Sequence, residues 1–196
     1  MDLQPSPAAS PSTWFRRVHF DLTGLPPKIE EIEDFLDKDS PGFRSKVVDR
    51  LLESPHFGER WARHWLDLAR YGDSTGIHED VVRPSWAWRD WVVQAINAGM
   101  PFDQFTIEQL AGDASGVDVG TGFLVAGPHD IVKSPDINLT LMQRNDEMAD
   151  MINTTGTAFL GLTIGCARCH NHKFDPILQK DYYSMQAVFS GVQYGE

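Results

Sequence analysis

The two cysteines of the chain stand in one short run with a histidine: Cys166, Ala167, Arg168, Cys169 and His170. This spacing lets two thiols add to the two vinyl groups of one haem, while the imidazole of His170 ligates the iron. No cysteine is left over. The pattern therefore predicts one covalently attached haem c.

Other kinds of site use cysteines at this spacing. In thioredoxin-like proteins the redox-active pair follows a β-strand, whereas the approach to Cys166 has helical periodicity. A zinc site would combine Cys166 and Cys169 with His170 or His172, but zinc usually takes a second pair of ligands from another segment. A disulfide between the two cysteines would close a strained short loop. Haem is favoured, and zinc is the alternative.

The iron takes a second axial ligand if it is six-coordinate. Met185 is the sole methionine after His170, so the ligand is expected upstream, or the position is open. His64 is the preferred residue, because helical spacing places it on an apolar face with Trp61 and Trp65. A hydrogen bond inside the core is the other explanation of such a histidine. The further candidates are Met142, Met148, Met151 and Met185.

Other polar residues suit a haem site. Arg168 and Lys173 could each neutralise a haem propionate through a charge-assisted bond, or be solvated. The sequence identifies no catalytic residue, but His78 and His129 lie in polar loops where they could meet a substrate beside an open iron face. Plain surface exposure is the alternative for both. His172 is too close to the proximal histidine to reach the opposite haem face, and is expected to contact a propionate, a carboxylate or solvent.

The 196 residues carry a net charge of −11, which makes nucleic acid and anionic membranes poor partners. No run approaches the roughly 20 apolar residues that span a bilayer, and the first residues lack a signal-peptide pattern. Because haem c is attached outside the cytoplasm, we interpret the chain as part of a longer secreted protein, periplasmic or otherwise extracytoplasmic. Residues 1–13 are predicted as a linker or added segment, and residues 14–196 as a haem-binding helical domain.

Apolar residues recur at helical spacing along most of the chain. The pattern predicts helices after Pro26-Pro27 and after Ser40-Pro41, and then at residues 55–71, 86–98, 101–111, 145–160 and 179–189. Residues 112–136 are rich in Gly, Asp, Ser and Pro, which predicts a loop with at most one small pair of strands. The expected fold is mainly α: a single helical domain with a long Gly/Asp/Pro-rich loop region and the haem motif near its C-terminus.

Three runs carry a resemblance to a known family: FDLTGLPP at residues 20–27, GERWARHWLDLARY at residues 58–71 and GCARCHNHKFDPI at residues 165–177. In these runs the chain resembles the planctomycete-type cytochrome c proteins. The resemblance implies a domain of unknown function that follows an amino-terminal cytochrome c domain. It also implies a large secreted parent protein, encoded near sulfatases and polysaccharide-degrading functions. It supports the haem and names no reaction.

Three functions follow from these observations. The first is electron transfer by a six-coordinate haem, with the other redox domain of the parent protein or an external electron carrier as partner. The second is a haem enzyme with an open sixth position, which uses peroxide or oxygen to oxidise a substrate; the family's setting implies a carbohydrate. The third is a zinc-stabilised binding module. Electron transfer is favoured, because no distal Arg and His stand at a recognisable peroxidase-like spacing.

Overall fold

The computed structural model describes residues 4–194, and helices make up most of this range. The α-helices of this range are α1 (Pro11–Thr23), α2 (Ile29–Lys38), α3 (Pro41–Leu52), α4 (Pro55–Leu68), α5 (Trp86–Asn97), α6 (Phe102–Ser115), α7 (Ile137–Thr155) and α8 (Gln179–Phe189). Between them lie a 3-10 helix at Asp118–Val125, a π-helical turn at Gly156–Leu160 and a 3-10 turn at Ile164–Arg168. The prediction of a mainly α fold is confirmed.

Two features are absent from residues 4–194. The range contains no β-strand, and β-type pairing is limited to isolated bridges between Ser74 and Val82 and between Gly76 and His129. The small pair of strands that the sequence allowed does not form there. No helix in the same range combines the length and the apolar composition that crossing a membrane requires.

The contacts between residues divide the chain into two units, and the boundaries fall inside α4 and α5. The first unit holds the residues up to Arg63 together with Val93–Gly99. The second holds His64–Val92 and the chain from Met100 onward. The core of the first unit is built by α1, α2 and α3, which bury Phe15, Phe35, Val47 and Leu51.

The first helix, α1, begins at Pro11, three residues before the boundary that the sequence analysis placed at residue 14. Ser10 caps it, because its Oγ accepts a hydrogen bond from the Thr13 amide at 3.4 Å. Pro11 fits the first turn, where its missing N–H leaves no partner unpaired. Phe15 and His19 then lie on the buried side, and His19 Nδ1 donates to the Phe15 carbonyl at 2.9 Å. A serine–proline pair that reads as linker thus also begins a helix.

The second unit has a core of aromatic rings around Trp65. The centre of the Trp65 ring lies 5.0 Å from that of Phe105, 5.3 Å from Phe159 and 6.0 Å from Phe123. The indole N–H donates to the buried Gln109 side chain at 2.7 Å, which satisfies the polar atom of the ring. These contacts join α4, α6, the 3-10 helix and the π-helical turn shortly before the cysteine motif.

Helix α4 buries a different side from the one that its large residues indicated. Trp61 and Leu68 are 43% and 47% exposed, whereas Gly58 and Ala62 are buried. The Gly58 amide donates to the side-chain oxygen of Asn97 at 2.7 Å, and a Cβ at Gly58 would lie 2.5 Å from the Asn97 Cγ. Only a glycine allows this approach. The predicted apolar face was therefore wrong at Trp61, and Leu68, one further turn along, is also exposed.

The predicted loop at residues 112–136 is partly helical. Helix α6 is kinked at Ala111, whose backbone is non-helical, and helical structure then resumes to Ser115. The 3-10 helix lies entirely within the predicted loop. Helix α7 begins at Ile137, well before the predicted start at residue 145. Asp136 causes the early start, because its side chain caps the helix by accepting a hydrogen bond from the Asn138 amide at 2.9 Å.

Candidate functional site

The cysteine motif begins in the 3-10 turn Ile164–Arg168, and Cys169 and His170 follow the turn directly. Ile164 and Ala167 are buried and anchor the turn. Cys166 and Cys169 are exposed and carry free thiols. Two sulfur atoms are therefore accessible on a turn that its apolar side chains hold in place.

His170 follows this turn with its ring exposed. Its Nδ1 lies 2.7 Å from the carbonyl oxygen of Asn171. Because a carbonyl only accepts hydrogen bonds, Nδ1 carries the proton, and the lone pair of the neutral ring is on Nε2. A histidine that ligates a metal through Nε2 typically makes such an Nδ1 bond, which orients the ring.

Helix α8 holds the backbone of the motif. The Gln179 side-chain amide and the Tyr183 hydroxyl both donate to the Arg168 carbonyl at 3.1 Å. The backbone amide of Gln179 donates to the Asn171 side-chain oxygen at 2.9 Å. Neither Gln179 nor Tyr183 was expected from the sequence, because nothing in their spacing distinguishes them from other polar residues of a helix.

His172 is built into the loop that follows the motif, and its side chain is 6% exposed. Its Nδ1 accepts hydrogen bonds from the amides of Asp175 at 2.8 Å and Phe174 at 3.2 Å. Nδ1 is therefore unprotonated, and Nε2–H donates to the Thr163 hydroxyl at 3.0 Å. The Asp175 carboxylate, a neighbour of the expected kind, lies 3.3 Å from Nδ1 but receives no hydrogen bond from this unprotonated nitrogen. The amides and Thr163 were not expected.

The two cations expected at the haem propionates have other contacts. The Arg168 guanidinium donates to Asp146 at 2.9 Å, and this bond raises the pKa of Arg168 above its ordinary value. The Lys173 ammonium lies 5.2 Å from the centre of the Phe174 ring, which is 84% exposed. Their roles at propionates stay predictions.

His64 lies exposed on α4. Its predicted place on a buried face was wrong, because α4 buries its small residues Gly58 and Ala62 instead. Burial of His64 therefore no longer supports iron ligation by this residue. Its role as the second iron ligand stays a prediction. The methionine candidates differ in accessibility: Met151 is buried, Met148 and Met185 are half-buried, and Met142 is exposed.

The structure brings His78 and His129 together around Asp130. His78 Nδ1 lies 2.7 Å from Oδ2 of Asp130, the residue after His129. The backbone N–H of His129 donates to the Thr75 carbonyl at 3.1 Å. Gln143 of α7 donates to the same Asp130 oxygen at 2.9 Å. Both histidines were expected from the sequence, whereas the Asp130 carboxylate that binds His78 was not.

The ring of His129 is half-buried and stacks on Tyr194, with ring centres 3.9 Å apart and planes inclined by 11°. Burial lowers the pKa of His129 below its ordinary value of 6.5, and the positive charge of Arg83 lowers it further. Arg83 Nη1 lies 3.4 Å from Nδ1 of the ring, so Nδ1 is the acceptor. The surroundings therefore favour the neutral imidazole.

Arg83 also holds the loop directly before this histidine. Its guanidinium donates to the carbonyls of Gly72 at 3.3 Å, Val125 at 3.0 Å and Gly127 at 2.9 Å, and to that of Ala126. Burial lowers the pKa of Arg83. The Arg83 side chain thus holds three consecutive carbonyls, those of residues 125–127, shortly before His129.

A cavity of about 300 Å³ lies beside the two histidines. Its polar lining includes His129, Asp130, Gln143, Asp146, Glu147 and Asp150. Asp150 forms an ion pair with Arg70. Asp146 is the same residue that binds Arg168 of the cysteine motif. Helix α7 therefore borders both the motif and the cavity.

The donor atoms of the motif fit a covalent haem better than a zinc ion. Within residues 4–194, no group of three or more His, Cys, Asp or Glu side chains is placed to hold a metal ion. The zinc alternative would use His170 or His172, and of these two His172 is already bonded through both ring nitrogens. The motif offers two free, exposed thiols and a histidine whose Nε2 is the unprotonated nitrogen.

No curated protein and no solved structure matches this chain. One family model matches residues 1–194, and its description, PSCyt2, protein of unknown function (DUF1549), names no activity. Since the match covers nearly all of the 196 residues, the chain belongs to the PSCyt2 family of proteins of unknown function.

Proposed function

We propose that this chain binds one haem covalently through Cys166 and Cys169, with His170 as an iron ligand, and that it transfers electrons outside the cytoplasm. The observation that carries the proposal is the bond from His170 Nδ1–H to the Asn171 carbonyl. This bond leaves Nε2 as the ligating atom of His170. His170 directly follows the two cysteines, which are exposed and carry free thiols.

The chain's own residues supply attachment and orientation. Each thiol that adds to a vinyl group forms one C–S bond and loses its S–H, and the hydrogen goes to the neighbouring vinyl carbon, so no oxidant is consumed. The Asn171 carbonyl keeps the proton on Nδ1 of His170. Bound here, the haem iron would supply one-electron redox chemistry.

The proposed attachment also bears on location and partners. Haem c is assembled outside the cytoplasm, so a periplasmic or other extracytoplasmic site of action follows from it. The electron partner is then the other redox domain of a parent protein or an external carrier. The net charge of −11 makes nucleic acid an unsuitable partner.

A haem-dependent oxidoreductase is the second candidate function, and the cavity beside α7 favours it. The cavity is lined by His129, a half-buried imidazole that its surroundings keep neutral. It also shares Asp146 with the cysteine motif. A neutral imidazole next to a carboxylate such as Asp130 is suited to moving protons to and from a substrate.

The decisive experiment is to produce the full chain together with a cytochrome c maturation system. We expect a red protein whose haem stays with the polypeptide after acid–acetone extraction, and whose mass is increased by one haem. Loss of all colour in the extraction would refute covalent attachment. Metal analysis of the same sample separates haem iron from the zinc alternative.

Variants test the assigned residues. Cys166→Ala with Cys169→Ala should abolish covalent attachment, and His170→Ala should change the absorption spectrum of any haem that is retained. His56→Ala is the matched control, since His56 is an exposed histidine bonded to Glu59 and its replacement should leave the spectrum unchanged.

Ligand binding separates the two candidate functions. Carbon monoxide or cyanide binding by the unmodified protein would favour the oxidoreductase, and absence of binding would favour the electron carrier. His129→Gln should lower peroxide-dependent oxidation only in the first case.

A further inference from the structure

We infer that His172 is a positioning residue for His170: it fixes the peptide group that orients the imidazole, and thereby tunes how that imidazole binds iron. The inference rests on the proposed covalent haem and adds a residue that the attachment motif does not contain. It is carried by the hydrogen bonds of residues 163–177.

One peptide group links the two histidines. The carbonyl oxygen of Asn171 accepts from His170 Nδ1 at 2.7 Å, and the N–H of His172 donates to the Ile177 carbonyl at 2.8 Å. This C=O and this N–H belong to the same planar peptide. Rotation of the plane would break both bonds, so the ring of His170 is oriented only while the plane is held.

The side chain of His172 holds this plane from inside the loop. Its Nδ1 accepts the amides of Phe174 and Asp175, and its Nε2–H donates to Thr163, the residue before the 3-10 turn. The ring therefore connects the segment before the cysteines to the segment after His170. The His172 side chain is only 6% exposed, so its ring is held inside the loop although its partner Thr163 is exposed.

The consequence for His170 is chemical as well as geometric. The Nδ1–H bond of a metal-ligating histidine sets the basicity of Nε2 and the orientation of the ring. Loss of such an outer partner typically changes metal affinity or activity by about tenfold to a hundredfold. We expect the lower end of this range, because His170 is exposed and water can replace the Asn171 carbonyl.

The test removes the hydrogen bond between His172 and Thr163 while keeping both His170 and His172. Thr163→Val keeps the shape of an exposed side chain and deletes the acceptor of His172 Nε2–H. Thr163→Ser restores a hydroxyl, and Thr157→Val is the matched control at an exposed threonine of the π-helical turn. Each full-length protein is matured with haem, and we measure covalent haem per polypeptide, the reduction midpoint and the visible spectrum.

At the wild-type midpoint, we expect the ratio of reduced to oxidised haem in Thr163→Val to shift several-fold, short of the roughly tenfold change expected for full loss of the Asn171 bond. Thr163→Ser should return this ratio to the wild-type value, and Thr157→Val should leave it unchanged. His172→Ala should give a larger shift, but the Thr163 variants decide the matter even if His172→Ala fails to fold.

Two results would overturn the inference while leaving the haem in place. One is a Thr163→Val protein with the wild-type midpoint and spectrum, and the other is a Thr163→Ser protein that shares the shift of the valine variant. An unmodified chain that retains no haem after maturation is a different outcome. It refutes the proposed function itself, and this inference with it.

Discussion

Arg83→Lys tests the idea that one guanidinium organises the loop before His129. The arginine donates to four carbonyls, those of Gly72 and of residues 125–127. A lysine ammonium is a point charge that cannot reach all of them from one position. Each net hydrogen bond contributes about 1 kcal/mol, and the lysine keeps one of them. Water replaces part of the rest at this half-buried side chain, so we expect the free energy of unfolding to fall by about 2 kcal/mol.

The assay is urea unfolding followed by tryptophan fluorescence and by circular dichroism. For a chain of this size, about 2 kcal/mol corresponds to a decrease in Tm of about 4–8 °C. Arg89→Lys is the matched control, since Arg89 binds the neighbouring Asp90 carboxylate, which a lysine can also pair with. If Arg83→Lys changes the free energy of unfolding by no more than Arg89→Lys does, the four carbonyls do not depend on the guanidinium and the reasoning fails.

Three further substitutions have expected outcomes. Because the folded pKa of His129 is lowered below 6.5, the unfolded chain binds more protons, so stability is full above pH 6.5 and is lost as pH falls towards the folded pKa. His129→Gln should flatten this part of a plot of unfolding free energy against pH, and an unchanged slope would contradict it. Gly122→Ala would place a Cβ 2.6 Å from the Cβ of buried Trp88. It should lower the free energy of unfolding in urea by about 1–3 kcal/mol. An unchanged free energy would show that the segments around Gly122 and Trp88 can move apart without cost. Phe35 is 0% exposed, so Phe35→Ala should lower the free energy of unfolding by about 3–5 kcal/mol. Leu36→Ala, at a side chain that is 47% exposed, should lower it far less. Equal decreases would be inconsistent with the described core.

The helices and the cysteine motif could be predicted because their signals are local. Residues 166–170 form a contiguous run, and α8 follows from apolar spacing within a few turns. The hydrogen bonds that hold the motif are not local. Thr163 and His172 are 9 positions apart, and His78 and Asp130 are 52 apart. Such pairs depend on how loops fold, which periodicity does not encode.

The incorrect expectations about α4 have a common physical origin in small residues. Helical spacing gives most weight to large apolar side chains, so Trp61 appeared to mark the buried face of α4. The contact is made instead by Gly58, where the absence of a side chain lets Asn97 approach. His64 was assigned to the core by the same reasoning, and it is exposed. Close packing through glycine is therefore invisible to a pattern of hydrophobicity.

Helix α7 has a mechanical consequence. Asp146 and Asp150 are one turn apart on its 19 residues, and each binds an arginine from a different segment, Arg168 and Arg70 respectively. A continuous helix transmits an axial displacement with little internal compression, so α7 is a strut between the two ion pairs. A movement along its axis would displace both carboxylates together, and with them the ion pairs to the cysteine motif and to Arg70.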